Sequence, residues 1–555
     1  MKRLAYIVAF VVLIAATGCH NNNEPGPAPE GSLVVENNQS VVRLNHTLDS
    51  FTLTFTSSCN WHIKSSGKQF TVSPTKGSGS AEPQTITITA LSENVSDAAV
   101  VRGSLEICLD NYSTKHKVKV MQCAVSERTI LAYFFGTSLS YFFGINIDCM
   151  KTAISEDILG NDRLIAFIQT SRSEAVIKEL YYDTSTQQGE ECFIRKITLP
   201  ESLTGRQFGE YMLNMMQIAP AERYAAIFGG HSTAWLPALN STGGVPLSVG
   251  STHIPNWTPA PGAEITRTIG ENNVRLNIDD LAEGLTATNH KFDWLYFDVC
   301  FMSSLEATYA LRNNTNYIVA SPCEIMGYGS PFDLLLDELV ADDLDGACRT
   351  YRNYYAYDYY GRKSGCIATT VCAELDALAA TVKALNQESI ANDLNLLTLQ
   401  VYEGRSSHLF FDAEHYAYNA YNNDALVKAF SEQLDKTIIN RYNTNQYYST
   451  YNSMMNDISH YSGVNFTPDE RCLPICKTWV DTWGFDLVIK KRELADFKAE
   501  LDKQGIPLVE SAEYIEMKKQ VEILSSNISD MQEQIAELEC YHPSLKQTAW
   551  YRATH

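Results

Sequence analysis

Three residues have the types and the placement to do chemistry together. The stretch "FDWLYFDVCFMSSLE", residues 292–306, is an apolar run that ends in Asp298, Val299 and Cys300. In an extended strand, residues two apart project to the same side. A carboxylate and a thiol therefore leave this strand end together. A second run, "RYAAIFGGHSTAW" (223–235), reads as a buried strand that stops at a glycine pair and sets His231 just past its end. A thiol and an imidazole are the minimum for acyl transfer through a cysteine nucleophile. The carboxylate does not help, because a nearby negative charge disfavours a thiolate. Asp298 needs another use. Each residue also has an ordinary one: Cys300 as a small core hydrophobe, His231 as a turn residue, and Asp298 as a cap for the helix expected over 303–313.

Elements must hold these groups in place. "RTILAYFFG" (128–136), "DRLIAFIQT" (162–170) and "TNYIVASP" (315–322) are further apolar strands. "GRQFGEYMLNMMQIAP" (205–220) carries Phe208, Tyr211, Met212, Met215 and Ile218 on one helical face. Strands without alternation, separated by helices, predict a mostly parallel sheet covered on both faces. Ligand sites in such sheets lie beyond the carboxyl ends of the strands, where both candidate strands stop.

The rest of the chain divides around this region. At 555 residues it should hold more than one folded unit. A net charge of −22 argues against nucleic-acid binding and against attraction to anionic lipid. Residues 1–19, "MKRLAYIVAFVVLIAATGC", have the basic start, apolar core and small-residue end of a secretory signal. The small residues before Cys19 resemble a bacterial lipobox, which implies lipidation of Cys19 and a cell-envelope lipoprotein at the outer membrane or cell surface. Residues 20–31, rich in Pro, Gly and Asn, read as a tether. No later segment is long and apolar enough to cross a membrane.

Residues 32–123 read as an all-β sandwich of about seven strands, because "FTLTFTS", "QTITITA" and "HKVKVMQ" alternate. Trp61 is the expected core plug. Toward the C-terminus, Tyr514, Met517, Val521, Leu524, Ile528, Met531, Ile535 and Leu538 alternate steps of three and four. That seam predicts a helical hairpin over 486–540, broken at "QGIP" (504–507). Of 14 cysteines, setting Cys19 aside leaves an odd number, which implies at least one free thiol. Structural thiols or disulfides account for most of the others. Neither Cys366/Cys372 nor Cys472/Cys476 has zinc-site companions, so no metal site is expected.

Two resemblances sharpen these expectations. "SSCNWHI", "FTVSPTKGSG", "TITITA" and "VKVMQ" resemble the BACON domain, an immunoglobulin-like module of bacterial surface proteins. It implies a spacer or adhesion role with a glycan or surface ligand. "FDVCFMSSLEATYALRNNTNYIVASP" closely resembles the catalytic segment of clostripain-family cysteine peptidases, of the clan of caspases, legumains and gingipains. "YAAIFGGHSTAWLP" resembles that family's histidine strand, and "GTSLS" (136–140), "GYGSPFD" (327–333) and "TAWYRAT" (548–554) are weaker matches. The likeness spans 128–555, interrupted by the hairpin.

The resemblance implies a caspase-like α/β domain with Cys300 as nucleophile and His231 as general base and acid. It places Asp298 in the S1 pocket, binding an Arg or Lys side chain of protein or peptide substrates; Arg is expected over Lys because a guanidinium can take both carboxylate oxygens at once. Backbone N–H groups of Ser232 and Cys300 would form the oxyanion hole, although the family usually has Gly after the histidine. Several relatives cut themselves between the two strands. Arg267 and Arg275 are the candidate points here, in the Pro/Gly-rich loop 236–273 and just after it. Calcium is used by some relatives, but no EF-hand-like run is present. The leading expectation is thus a surface-anchored endopeptidase cleaving after basic residues. The alternatives are an impaired peptidase-like adhesion protein and a transpeptidase.

Overall fold

The computed structural model describes residues 31–237, 257, 269–357 and 362–555. Cys19 and Arg267 lie outside the described residues, as does most of the loop that precedes Ile269.

The N-terminal region is all-β. Between Leu33 and Gln122 the described residues form a four-stranded and a five-stranded sheet, more strands than the alternation pattern revealed. In "QTITITA", Ile86, Ile88 and Ala90 are buried while the intervening threonines are half-buried, which is the expected period of two. Leu53, Phe55, Leu105 and Val118 join them in one core around Trp61. The Trp61 indole meets Phe55 edge-on at 4.9 Å and donates to Gln84 Oε1 at 3.0 Å.

The second region is built on a nine-stranded sheet. We number its strands β1 (Arg128–Phe134), β2 (Arg163–Ser171), β3 (Glu174–Asp183), β4 (Gln188–Thr198), β5 (Arg223–Gly229), β6 (Phe292–Asp298), β7 (Thr315–Ala320), β8 (Ile367–Val371) and β9 (Ile438–Tyr442). The order is β4-β3-β2-β1-β5-β6-β7-β8-β9. The central five, β2 to β7 in that order, are parallel, but every pairing outside them is antiparallel. The expectation of a mostly parallel sheet therefore holds for the centre and fails at both wings. β3 and β4 are joined by a short turn, a connection that only antiparallel neighbours permit.

Burial explains the apolar runs. Along β6, Trp294 and Tyr296 enter one core, while Phe292, Leu295 and Phe297 enter the core on the other face. A strand covered on both sides has no polar face to alternate with. The helix Gly205–Ile218 covers one face, capped by the reciprocal Thr204/Gln207 pair. Its Phe208, Met212 and Met215 are buried, as the periodicity requires.

The two regions meet through buried charge. Glu179 of β3 pairs with Arg163 at 2.9 Å and with Arg43 of the N-terminal region at 3.1 Å. Burial raises the Glu179 carboxyl, but the two guanidiniums outweigh it and hold it below its ordinary value. Lys119 reaches Asp183 at 3.0 Å nearby. Arg163 opens β2 and Asp183 closes its antiparallel neighbour, so these contacts sit at the amino-end pole of the parallel strands. Glu179→Ala would leave both guanidiniums facing an uncharged cavity. We expect it to destabilise the protein by about 3–5 kcal/mol, read as a lower thermal midpoint; an unchanged midpoint would remove the pair from the interface argument.

The predicted hairpin is longer than its seam. Helices Leu473–Gln504 and Ala512–Leu545 pack together on either side of Gly505, which takes φ +69 as a left-handed helix end. Met531, Ile535 and Leu538 are buried near the body, whereas the distal Tyr514 to Ile528 positions of the seam are only half-buried. The first helix starts before 486 because Pro474 opens it and Cys472 and Cys476 dock it on the core. The thirteen described cysteines are all free thiols, most of them buried; the disulfides allowed as an alternative are absent among them. No helix among the described residues is long and apolar enough to cross a membrane.

Candidate active site

Strand register brings the sequence candidates together. Gly229, the last residue of β5, pairs with Asp298, the last of β6. His231 and Cys300 each lie two residues further on, at matching depths beyond neighbouring strand ends. Gly229 is required there: a Cβ on it would come within 2.4 Å of the Phe134 ring. His231, Cys300 and Asp298 all line one cavity of about 280 Å³ at the carboxyl-end pole, together with Phe142, Asn146 and Glu324.

The backbone turns sharply at the thiol. Phe301, directly after Cys300, sits at φ +63, a strained region for a bulky residue and one that tends to mark functional sites. Packing holds it there. Its ring stacks on Phe410 at 4.9 Å and meets Trp257, inside the long loop, at 5.6 Å. The Phe301 N–H donates to Cys323 O at 3.1 Å. The Cys300 and Ser232 N–H groups have no acceptor among the described residues. The Ser232 hydroxyl is instead turned back to accept from the Ala234 N–H at 3.0 Å.

Electrostatics leave the pair uncharged at rest. Burial pushes the Cys300 thiol up to about 12, Glu324 and Asp298 add to this, and the Ile325 N–H, 3.4 Å from Sγ, only partly offsets them. Burial also lowers His231, with Glu271 acting in the opposite sense. A neutral imidazole that lines the same cavity as a protonated thiol can accept the proton as the sulfur attacks, without a prior ion pair.

Asp298 sits apart from the thiol's chemistry. It is buried, and burial raises its carboxyl to about 6 against a donation from Ser330 Oγ at 2.7 Å. Tyr296 OH contacts Ser330 Oγ at 2.7 Å and completes a short chain to Oδ1. No guanidinium or ammonium partner of Asp298 exists among the described residues. Gly329, at φ +70, keeps the approach open, since a Cβ there would lie 2.4 Å from Oδ2. A buried carboxylate without a cation is costly to ionise.

Sequence reasoning missed several groups. Ser138 Oγ lies 3.0 Å from His231 Nε2, and Glu271 accepts from Ser138 Oγ at 2.5 Å. Ser330 and Glu324 were likewise unassigned. "GTSLS" and "GYGSPFD" flagged two of these neighbourhoods without giving roles; nothing flagged Glu271. Arg275 lies between the buried Val274 and Leu276, and Leu276 is hydrogen-bonded both ways with Ile269. That paired backbone is less open to cleavage than an unpaired loop would be. Among the described residues, no group of three or more His, Cys, Asp or Glu side chains could hold a metal ion.

Residues 256–467 match the model of the clostripain family of peptidases. No curated protein matches. Among solved structures, a secreted C11 cysteine protease from Bacteroides thetaiotaomicron, "iotapain", is 27% identical with a TM-score of 0.55, over 62% of this chain and 93% of that one. An inactive zymogen C11 protease from Parabacteroides distasonis is 22% identical with a TM-score of 0.51, over 64% of this chain and 96% of that one, and shares the fold. The family match and the likeness to a secreted cysteine protease agree on one assignment: the chain belongs to the clostripain family of cysteine peptidases, with an all-β region ahead of the peptidase domain.

Proposed function

We propose that the protein is an endopeptidase that cleaves after arginine, and less readily after lysine, by a Cys300/His231 mechanism. The observation that carries this reading is the shared cavity, in which a thiol, an imidazole and a cation-less buried carboxylate converge. A P1 guanidinium would take both oxygens of Asp298, which an ammonium cannot do. It would also cancel part of the negative field that keeps Cys300 protonated.

The cycle then balances as follows. His231 takes the Sγ proton while sulfur attacks the scissile carbonyl carbon. The oxyanion that forms is held by the Cys300 and Ser232 N–H groups, each donor contributing about 3 kcal/mol in the transition state. The C–N bond breaks, and the imidazolium gives its proton to the leaving amine. Water, deprotonated by His231, attacks the thioester; the acid leaves, and sulfur regains its proton. Ser232 fits the oxyanion role in place of the family's glycine because its side chain is folded away and its N–H is left available.

Around this core we place a lipid anchor at Cys19, a spacer or adhesion role for the β region, and self-processing at Arg267. The test is labelling by a peptidyl-Arg acyloxymethyl ketone. Mass spectrometry should find the adduct on Cys300, blocked by prior His231→Ala substitution and at least a hundredfold slower with Gln in place of Arg. Labelling at another cysteine would overturn the Cys300 assignment, and equal labelling with Gln in place of Arg would overturn the Arg preference.

A further inference from the structure

His231 is held by a relay that nothing above assigns. Glu271, 1% exposed, accepts from Thr137 Oγ1 and from the Ser138 N–H on Oε1, both at 2.9 Å, and from Ser138 Oγ on Oε2 at 2.5 Å. Ser138 Oγ in turn lies 3.0 Å from His231 Nε2. A serine hydroxyl has one proton and can also accept. A carboxylate can only accept, so the Ser138 proton points to Glu271. What remains toward His231 is a lone pair, which must meet an N–H.

We propose that Ser138 and Glu271 fix His231 as the Nε2–H tautomer, leaving Nδ1 as the atom that takes the proton from Cys300. This rests on the reading of His231 as the general base. The two are positioning residues, since neither touches the substrate. The relay is built into the sheet. β1, β5 and β6 are neighbours, and they deliver Ser138, His231 and Cys300 in that order beyond their carboxyl ends. Gln169 of β2 fixes the first loop by accepting from the Gly136 N–H at 2.7 Å. Gly270 N–H bonds to His231 O at 2.8 Å, so the segment carrying Glu271 is tied to the histidine itself. As His231 becomes an imidazolium during attack, the charge at Nε2 is met through Ser138 by a carboxylate.

Proton accounting supplies a sharp test. In Glu271→Gln, the amide oxygen must still take the Thr137 hydroxyl and Ser138 N–H, so its NH2 faces Ser138 Oγ. The serine then has to donate to His231 Nε2, which reverses the tautomer and puts the proton on the attacking side. We expect kcat on an Arg-amide to fall about a hundredfold or more with KM little changed. Ser138→Ala should lose part of the rate, and Ser138→Thr should restore it. The tautomer itself is read by ¹⁵N NMR of the histidine-labelled full chain, which needs no turnover. Nε2–H in the wild type and Nδ1–H in Glu271→Gln support the relay. Nδ1–H in the wild type, or Glu271→Gln with kcat within twofold, overturns it. If the wild type fails to hydrolyse Arg-amides, the peptidase reading falls, while the NMR result still decides the relay.

Discussion

Cys300→Ala should reduce Arg-amide hydrolysis by about 10⁶-fold, the scale of losing a covalent nucleophile from a concerted set. The same variant should show one uncut chain if the wild type processes itself; identical band patterns would exclude self-processing. The pH profile of the wild type carries more information. Activity needs neutral His231, whose value lies below the ordinary 6.5, and ionised Asp298, whose value is about 6. Both are lost as pH falls, so kcat/KM for Arg substrates should drop as pH passes below about 6, the slope steepening toward two once the His231 value is passed as well. The thiol does not ionise until about 12. The profile should therefore stay flat above pH 7, and iodoacetamide should alkylate Cys300 slowly at neutral pH. A limb near pH 8, or fast alkylation at pH 6, would instead indicate a preformed thiolate–imidazolium pair.

Asp298→Ala should lower kcat/KM for a P1 Arg substrate by about 10⁴-fold, the penalty typical of a buried polar partner left unmatched. The thiol should remain alkylatable, because Asp298 only opposes its ionisation. Retained Arg preference would move the S1 pocket elsewhere. Stability should shift the other way. The Asp298 carboxyl rises from 3.8 to about 6 on folding, so the folded state binds its proton more tightly than the unfolded one. The protein is thus penalised as pH climbs from about 4 to 6, by about 3 kcal/mol once the group is ionised. Asp298→Asn keeps the Ser330 contact and removes that penalty. It should melt higher than the wild type at pH 7.5 and equally at pH 4. An equal midpoint at pH 7.5 would mean the carboxylate is already compensated.

The legible parts of this site share a cause. Cys300, His231 and Asp298 follow apolar runs with no alternation, and a run of that kind marks a strand in the middle of a covered sheet. Strand ends there are where ligands bind. The roles of Ser138 and Glu271 were not legible because the signal is spatial: they stand 93 and 40 residues from His231 in the chain. The wings failed for a related reason. β8 and β9 are five residues each, too short for a period to declare itself. β3 does alternate in burial, but it pairs backwards, and pairing direction leaves no trace in composition. The hairpin boundary slipped because a heptad pattern reports where two helices touch each other and not where one of them docks on the body.

The Arg43–Glu179–Arg163 junction also fixes direction. It lies at one pole of the parallel strands, and the thiol lies at the other. Because the junction is buried and charged on both sides of the seam, the two regions resist swivelling. The β region and the cavity of His231 and Cys300 are thereby held at opposite poles of one sheet. A chain entering the cavity of His231 and Cys300 therefore approaches from the side away from the β region.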